Sequence, residues 1–333
     1  MIHSTAQNLS PSWQLQLKQA ITSIEELCGI LQLDIHQVPF NQTKAFPLKV
    51  PRAFVDRMER GNARDPLLLQ ILPQAEEWEH FPGYTEDPLG ECAANPVSGL
   101  LHKYQSRALL VVTGACSLHC RFCFRRHFPY EDNNPGELGW QKAIDYIAED
   151  ASITEVILSG GDPLVASDAL LARLATRLCK VPHVKRLRIH SRMPVIVPAR
   201  VTTEFMDWFA GSRLQPVLVL HVNHANEIDA SVVQACKALR ARGVTLLNQT
   251  VLLKGINDNV ETLAQLSERL LEAGILPYYL HMLDKVKGAA HFNVEESEAV
   301  EIMHQLRNSL SGFLVPRLVR EIPGALSKMP INI

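Results

Sequence analysis

From Arg107 onward the chain alternates short β-branched apolar runs with helix-length segments, and no other feature restricts its fold as much. The runs are RALLVVT, TEVILSG, VKRLRIH, PVLVLHV, VTLLNQTVL and ILPYYLHML. Between them, helical periodicity covers Leu138 to Asp150, Asp168 to Lys180, Thr203 to Ala210, Ser231 to Arg242 and Asn259 to Ala273. Neighbouring parallel strands need a crossover of about a dozen residues, and each segment with its flanking loops supplies one. The pattern predicts an α/β fold in which six βα units build a full or partial parallel barrel. A last helix, Val294 to Ser309, precedes the strand-like LVPRLVREI and a glycine turn. Upstream, Trp13 to Leu31 reads as a helix with Ser10 or Ser12 as its N-cap, and the stretch to about Gly99 is rich in proline and other breakers. The expected division is an N-terminal helical extension over 1-100, a barrel over 101-290, and a C-terminal helix with a terminal segment over 291-333.

Charged residues make up 20% and apolar residues 47% of the chain, with a formal net charge of -2, so no nucleic-acid tail or disordered acidic segment is expected. The first residues lack a basic stretch followed by an apolar one, and no run approaches the roughly 18 apolar residues of a membrane span. Residence in the cytoplasm follows as the expectation. In that reducing compartment seven cysteines, an odd number, do not read as a disulfide framework. Cys28, Cys92, Cys179 and Cys236 lie apart in mostly apolar or helical contexts and read as small core residues. Cys116, Cys120 and Cys123 form a group of their own.

Parallel α/β sheets bind ligands beyond the carboxyl ends of their strands. Those positions are unusually polar here. Cys116 follows the first run, Gly160-Gly161-Asp162 the second, and His190-Ser191-Arg192 the third. His221 and Asn223 follow the fourth, Gln249 lies within the fifth, and Asp284 follows the sixth. Two metals suit the three thiols. Zinc accepts cysteines two or three residues apart and takes four ligands, the fourth being His119 or His127. Against zinc stand the lack of a second cysteine pair and the size of a fold that needs no staple. An iron-sulfur cubane held by three thiolates leaves one iron open to a ligand that is not protein.

The three-cysteine spacing, with an aromatic residue before the last cysteine, resembles the signature of radical S-adenosylmethionine enzymes. The resemblance implies a partial (β/α)6 barrel carrying a [4Fe-4S] cluster on Cys116, Cys120 and Cys123, with S-adenosyl-L-methionine on the open iron. Gly160-Gly161-Asp162, directly after TEVILS, is similar to the family's glycine-rich motif, in which backbone approaches the methionyl end. Further motifs in order are FPLKVPRAFVDRM, DPLLLQILP, HKYQSRALLVVTGACSLHCRFCFRR, ILSGGDPL, RIHSRMPVIVPAR, HVNHANE, NQTVLLKGIND and IPGALSK. From about residue 46 to the end they resemble lysine 2,3-aminomutases, and the short chain is similar to the branch that prepares β-lysine for modifying elongation factor P.

That likeness implies a second cofactor, pyridoxal 5'-phosphate, carried by Lys328 in PGALSK. Family members often have a run of glycines where this chain has Ala325-Leu326-Ser327. Lys103 and Arg107 match positions that contact the cofactor phosphate, with Lys103 standing where relatives carry arginine. Arg125 matches the partner of the substrate α-carboxylate, a task suited to the guanidinium fork. Asp284 matches an aspartate that meets the ε-ammonium, and Glu321 stands where a second aspartate is usual. His221 and Gln249 resemble residues lining the S-adenosylmethionine pocket. The implied activity is an isomerase that turns α-lysine into β-lysine by radical 1,2-amino migration and regenerates S-adenosylmethionine. It needs an electron donor and is linked to elongation factor P and its lysyl-transferring ligase. Two rivals remain at this level: a radical enzyme that modifies RNA or protein without pyridoxal phosphate, and a metal-binding interaction protein without catalysis. Relatives with longer C-termini carry further cysteines that bind zinc between subunits. This chain has none after Cys236, so their tetramer is not assumed.

Overall fold

The computed structural model describes residues 12–38, 40, 46–133 and 136–332. Its strands are β1 (Leu100–Tyr104), β2 (Arg107–Thr113), β3 (Glu155–Gly160), β4 (Arg186–Ser191), β5 (Gln215–His221), β6 (Thr245–Val251), β7 (Leu276–His281), β8 (Arg317–Arg320) and β9 (Met329–Pro330). They pair in sequence order in one sheet. The pairs from β2 to β8 are all parallel, whereas β1 and β9 add antiparallel edges. The six apolar runs become β2 to β7. LVPRLVREI supplies a seventh parallel strand, β8, so the six βα units are extended by one. HKYQS holds a strand that the apolar pattern did not mark, because β1 is short and half polar.

Helices Gly136–Glu149, Asp168–Leu178, Thr203–Ala210, Ala230–Ala241, Val260–Glu272 and Glu296–Ser309 connect successive parallel strands. Four of them begin at a polar cap whose side chain accepts a hydrogen bond from the first turn: Ser167, Thr202, Asp229 and Asn259. Alternation along the strands divides the two faces. In β4, Leu187 and Ile189 join the buried core, whereas Arg188 and His190 face a central cavity. The sheet therefore has an apolar outer face under its helices and a polar inner one.

The sheet does not pair β9 with β1, yet its two ends meet through side chains. Lys103 Nζ on β1 lies 3.2 Å from Glu321 Oε1, just past β8. Trp13 to Leu31 forms two helices, Trp13–Lys18 and Ile24–Leu31, in place of one. Between them Ile21 bridges Val50 as a short strand pair, which removes it from any helix. Ser12 caps the first helix by accepting from Leu15 N, and Ser10 lies outside the described residues. The extension shares one continuous core with β2 to β6. Arg57 ties it down, donating to the carbonyls of Val195 (2.6 Å) and Glu227 (2.8 Å) and to Asp229 (3.0 Å). Cys28 and Cys236 are buried and Cys179 is half-buried, but Cys92 is exposed on a surface turn and is not a core residue.

Candidate active site

A cavity of about 620 Å³ opens at the carboxyl ends of the parallel strands. Its first wall is the loop after β2 that carries the three cysteines, and backbone contact with β3 fixes that loop. Gly161 N donates to Thr113 O at 2.7 Å and Asp162 N to Ala115 O at 2.8 Å. A Cβ on Gly160 would stand 2.6 Å from Thr113 O, and one on Gly161 2.5 Å from Ala115 O. Gly160 also has a φ of 122°, which side-chain-bearing residues rarely adopt. Both glycines thus serve the approach of strand end to cysteine loop. The Asp162 carboxylate accepts from Ser191 Oγ (2.7 Å) and from the backbone N–H groups of Leu164, Arg192 and Met193 (2.9 to 3.0 Å). Its acceptor sites are taken up in joining the ends of β3 and β4.

Cys116, Cys120 and Cys123 all line the cavity as free thiols. Burial raises each thiol pKa, that of Cys123 to about 11, and their mutual proximity raises Cys116 further. Such thiols give up their protons only to a bound cation. Candidates for a fourth ligand are turned to other partners. His119 stacks on Phe46 with Nδ1 2.8 Å from Pro47 O, and His127 Nε2 lies 3.2 Å from Lys287 O. Three soft sulfurs without a fourth protein ligand among the described residues fit a cubane with one open iron better than a closed zinc site. Arg192 lies beside them, donating to Cys120 Sγ at 2.8 Å while paired with Glu227 at 2.9 Å. Nothing in the spacing of the sequence joins Arg192 to Cys120, 72 positions away.

Another part of the lining is a chain of alternating charges that starts just beyond the cysteines. Arg125 grips Glu91 with Nε and Nη2 at 2.7 and 2.8 Å, and its Nη1 donates to Ser159 Oγ at 2.9 Å. Glu91 also meets Lys103 Nζ at 3.3 Å, Lys103 meets Glu321, and Glu321 Oε2 accepts from Lys328 Nζ at 2.7 Å. Burial opposes ionisation of Glu321, but the Lys328 and Lys103 ammoniums outweigh it and bring its pKa down to about 2. Asp284 goes the other way. Burial and the nearby charge of Glu321 push its carboxyl up to about 7, and that carboxyl makes no hydrogen bond or ion pair among the described residues. Lys328 Nζ also lies 5.9 Å from the centre of the Tyr279 ring.

Arg107 lines the same cavity with its guanidinium 4.2 Å over the Tyr104 ring, and no carboxylate pairs with it among the described residues. Its charge is available to an anion such as a phosphate. A lysine amine, an acid beside it and this free guanidinium together suit pyridoxal phosphate. His221 and Gln249 are register partners on β5 and β6 and both line the cavity. Burial and the Arg192 charge push His221 down to about 3, so its ring is neutral. The structure thus brings Lys328, the three cysteines, Lys103, Arg107, Gly160, Gly161, Asp162, His221, Gln249, Arg125, Asp284 and Glu321 to one cavity. Sequence reasoning missed Glu91, which lies in the breaker-rich extension where no periodicity or motif marks it.

The Radical SAM superfamily model matches residues 110–267. An L-lysine 2,3-aminomutase of Escherichia coli (strain K12) is 51% identical over 324 residues, covering 96% of this chain and 94% of the relative. One from Haemophilus influenzae is 48% identical over 319 residues, covering 95% and 94%. The Clostridium subterminale protein of the same name is 36% identical over 324 residues, which is 96% of this chain but 77% of that longer relative.

Proposed function

The chain belongs to the lysine 2,3-aminomutases of the radical SAM superfamily, and from that premise we propose how its own residues carry the conversion of α-lysine to β-lysine. One observation carries the reading: the three grouped thiols, Lys328, Arg125 and Asp284 all open onto a single cavity. Enzymes of this family work with a [4Fe-4S] cluster, S-adenosylmethionine and pyridoxal phosphate. When bound, these supply a radical initiator and a ring that delocalises an unpaired electron.

Cys116, Cys120 and Cys123 hold the cluster, and the Gly160-Gly161 backbone, His221 and Gln249 border the space for S-adenosylmethionine. Asp162 acts there by fixing that backbone. Lys328 would carry pyridoxal phosphate, and Arg107 and Lys103 would receive its phosphate. Glu321 holds the Lys328 amine in place until the cofactor arrives. The two charged ends of lysine go to separate residues, the α-carboxylate to Arg125 and the ε-ammonium to Asp284. Fixing both ends orients the carbons that exchange the amino group. A low-potential electron donor completes the system.

The product, on this reading, serves a ligase that attaches it to elongation factor P. Support comes from the ordered motifs, which resemble the branch that prepares β-lysine for that modification. Such a role places it in the cytoplasm, and no helix among the described residues is long and apolar enough to cross a membrane. Anaerobic incubation of the reconstituted protein with lysine, S-adenosylmethionine, pyridoxal phosphate and a reductant should yield β-lysine. Consumption of S-adenosylmethionine without any β-lysine would reject the reading in favour of another radical chemistry.

A further inference from the structure

Glu91 lies at the junction of two subsites that bind different molecules. Its Oε2 accepts from Arg125 Nε at 2.7 Å, and its Oε1 accepts from Arg125 Nη2 at 2.8 Å and lies 3.3 Å from Lys103 Nζ. Arg125 Nη1 is held by Ser159 Oγ at 2.9 Å and by Gly160 O at 3.4 Å. A guanidinium has five N–H donors, and these contacts use four. The remaining donor, on Nη2, is what an incoming carboxylate meets without breaking a bond. Glu91 is itself only 4% exposed and remains anionic, because burial is outweighed by Arg125 and Lys103.

The loop bearing Glu91 is rigidly built. Asp87 accepts from Glu91 N (2.9 Å) and Cys92 N (3.1 Å), and Gly90, at a φ of 60°, packs toward Pro323 in the turn before Lys328. The extension thereby reaches both Lys103 on β1 and the turn after β8, with one carboxylate at its tip.

We propose that Glu91 is a positioning residue for substrate binding: it sets the plane of the Arg125 guanidinium and ties it to Lys103, so that the α-carboxylate and cofactor-phosphate subsites form as one unit. The proposal rests on the reading above, in which Arg125 meets the α-carboxylate of lysine. Without Glu91 the guanidinium keeps only its Ser159 side and loses the orientation that leaves one Nη2 donor free.

The test uses the reconstituted holoenzyme without reductant, so that nothing turns over. Lysine and lysinamide, which lacks the carboxylate, are titrated while the pyridoxal phosphate absorption band is followed. Wild type should prefer lysine. Glu91→Gln should reduce that preference about tenfold, the loss of roughly one charge-assisted hydrogen bond, and Glu91→Asp should retain part of it. Because the preference is a ratio within one protein, partial misfolding does not mimic the effect. An unchanged preference in Glu91→Gln, or a stronger one, would overturn the proposal. Arg125→Lys separates the two levels. If Arg125→Lys keeps the lysine preference, the α-carboxylate assignment falls and takes Glu91 with it. Loss in Arg125→Lys with retention in Glu91→Gln rejects Glu91 alone.

Discussion

Two acids on the cavity wall, Asp284 and Glu321, face the same two cations yet shift in opposite directions, because burial and the charge of Glu321 outweigh the cations at Asp284. Glu321 touches Lys328 and Lys103 and is held anionic near pKa 2, whereas the Asp284 carboxyl makes no hydrogen bond or ion pair among the described residues and rises to about 7. An ε-ammonium needs the charged form of Asp284. Below pH 7 the group is mostly neutral and above it mostly anionic, so the KM for lysine should fall as pH rises through about 7 and then level off. Measured kcat/KM profiles check this, and Asp284→Asn should remove that limb. An ammonium left buried without its partner costs several kcal/mol, so Asp284→Asn should lower kcat/KM on lysine by on the order of 100-fold or more while leaving iron content unchanged. Comparable turnover of lysine and norleucine by the wild type would contradict recognition of the ammonium. Borohydride reduction followed by peptide mapping should place pyridoxal phosphate on Lys328, and label on Lys254 or Lys287 would contradict that. Glu321→Asp moves the second acid at the ε-ammonium end of the site and should alter the rate on lysine more than cofactor binding.

At the level of elements, the β3 end and the cysteine loop behave as one part. Gly161→Ala would place a methyl 2.5 Å from Ala115 O and 2.7 Å from Gly114 O, contacts with backbone that no rotamer relieves. The loop must shift, and the expected outcome is a folded protein with much reduced iron and acid-labile sulfide. Full cluster content in Gly161→Ala would show that the loop is not positioned by this contact. The Trp13 to Leu31 region shows the limit of periodicity. Its spacing is helical throughout, but Ile21 gains two backbone hydrogen bonds with Val50, at 2.8 and 3.0 Å, and the helix divides there. A local pattern of side chains does not reveal a partner about thirty residues later.

Across the whole molecule, an open sheet must be held in its curve by contacts other than strand pairing. Lys103 and Glu321 join its edges, and Arg57 binds the extension to the loops after β4 and β5. Arg57→Ala leaves two carbonyls and Asp229 without this donor and should cost about 3 kcal/mol, read as a lower urea midpoint. A midpoint within error of wild type would mean that water replaces the guanidinium at no cost.

The alternation after Arg107 determined the parallel α/β core, because strand and helix periods are written locally in apolar spacing. The cysteine group and the ordered motifs determined the family by themselves. Each candidate residue was nameable by position, but not the wiring that joins them. Arg125, Glu91, Lys103, Glu321 and Lys328 form one charge chain whose links span 7 to 218 positions of sequence, and its long-range pairings have no local signature. Only the tertiary structure, by curling both ends of the sheet around one cavity, placed Glu91 in the Arg125 fork and gave the Asp284 carboxyl no hydrogen-bond or ion-pair partner among the described residues. Burial and proximity, not residue type, made one of two acids an anion near pKa 2 and the other a group that titrates near 7.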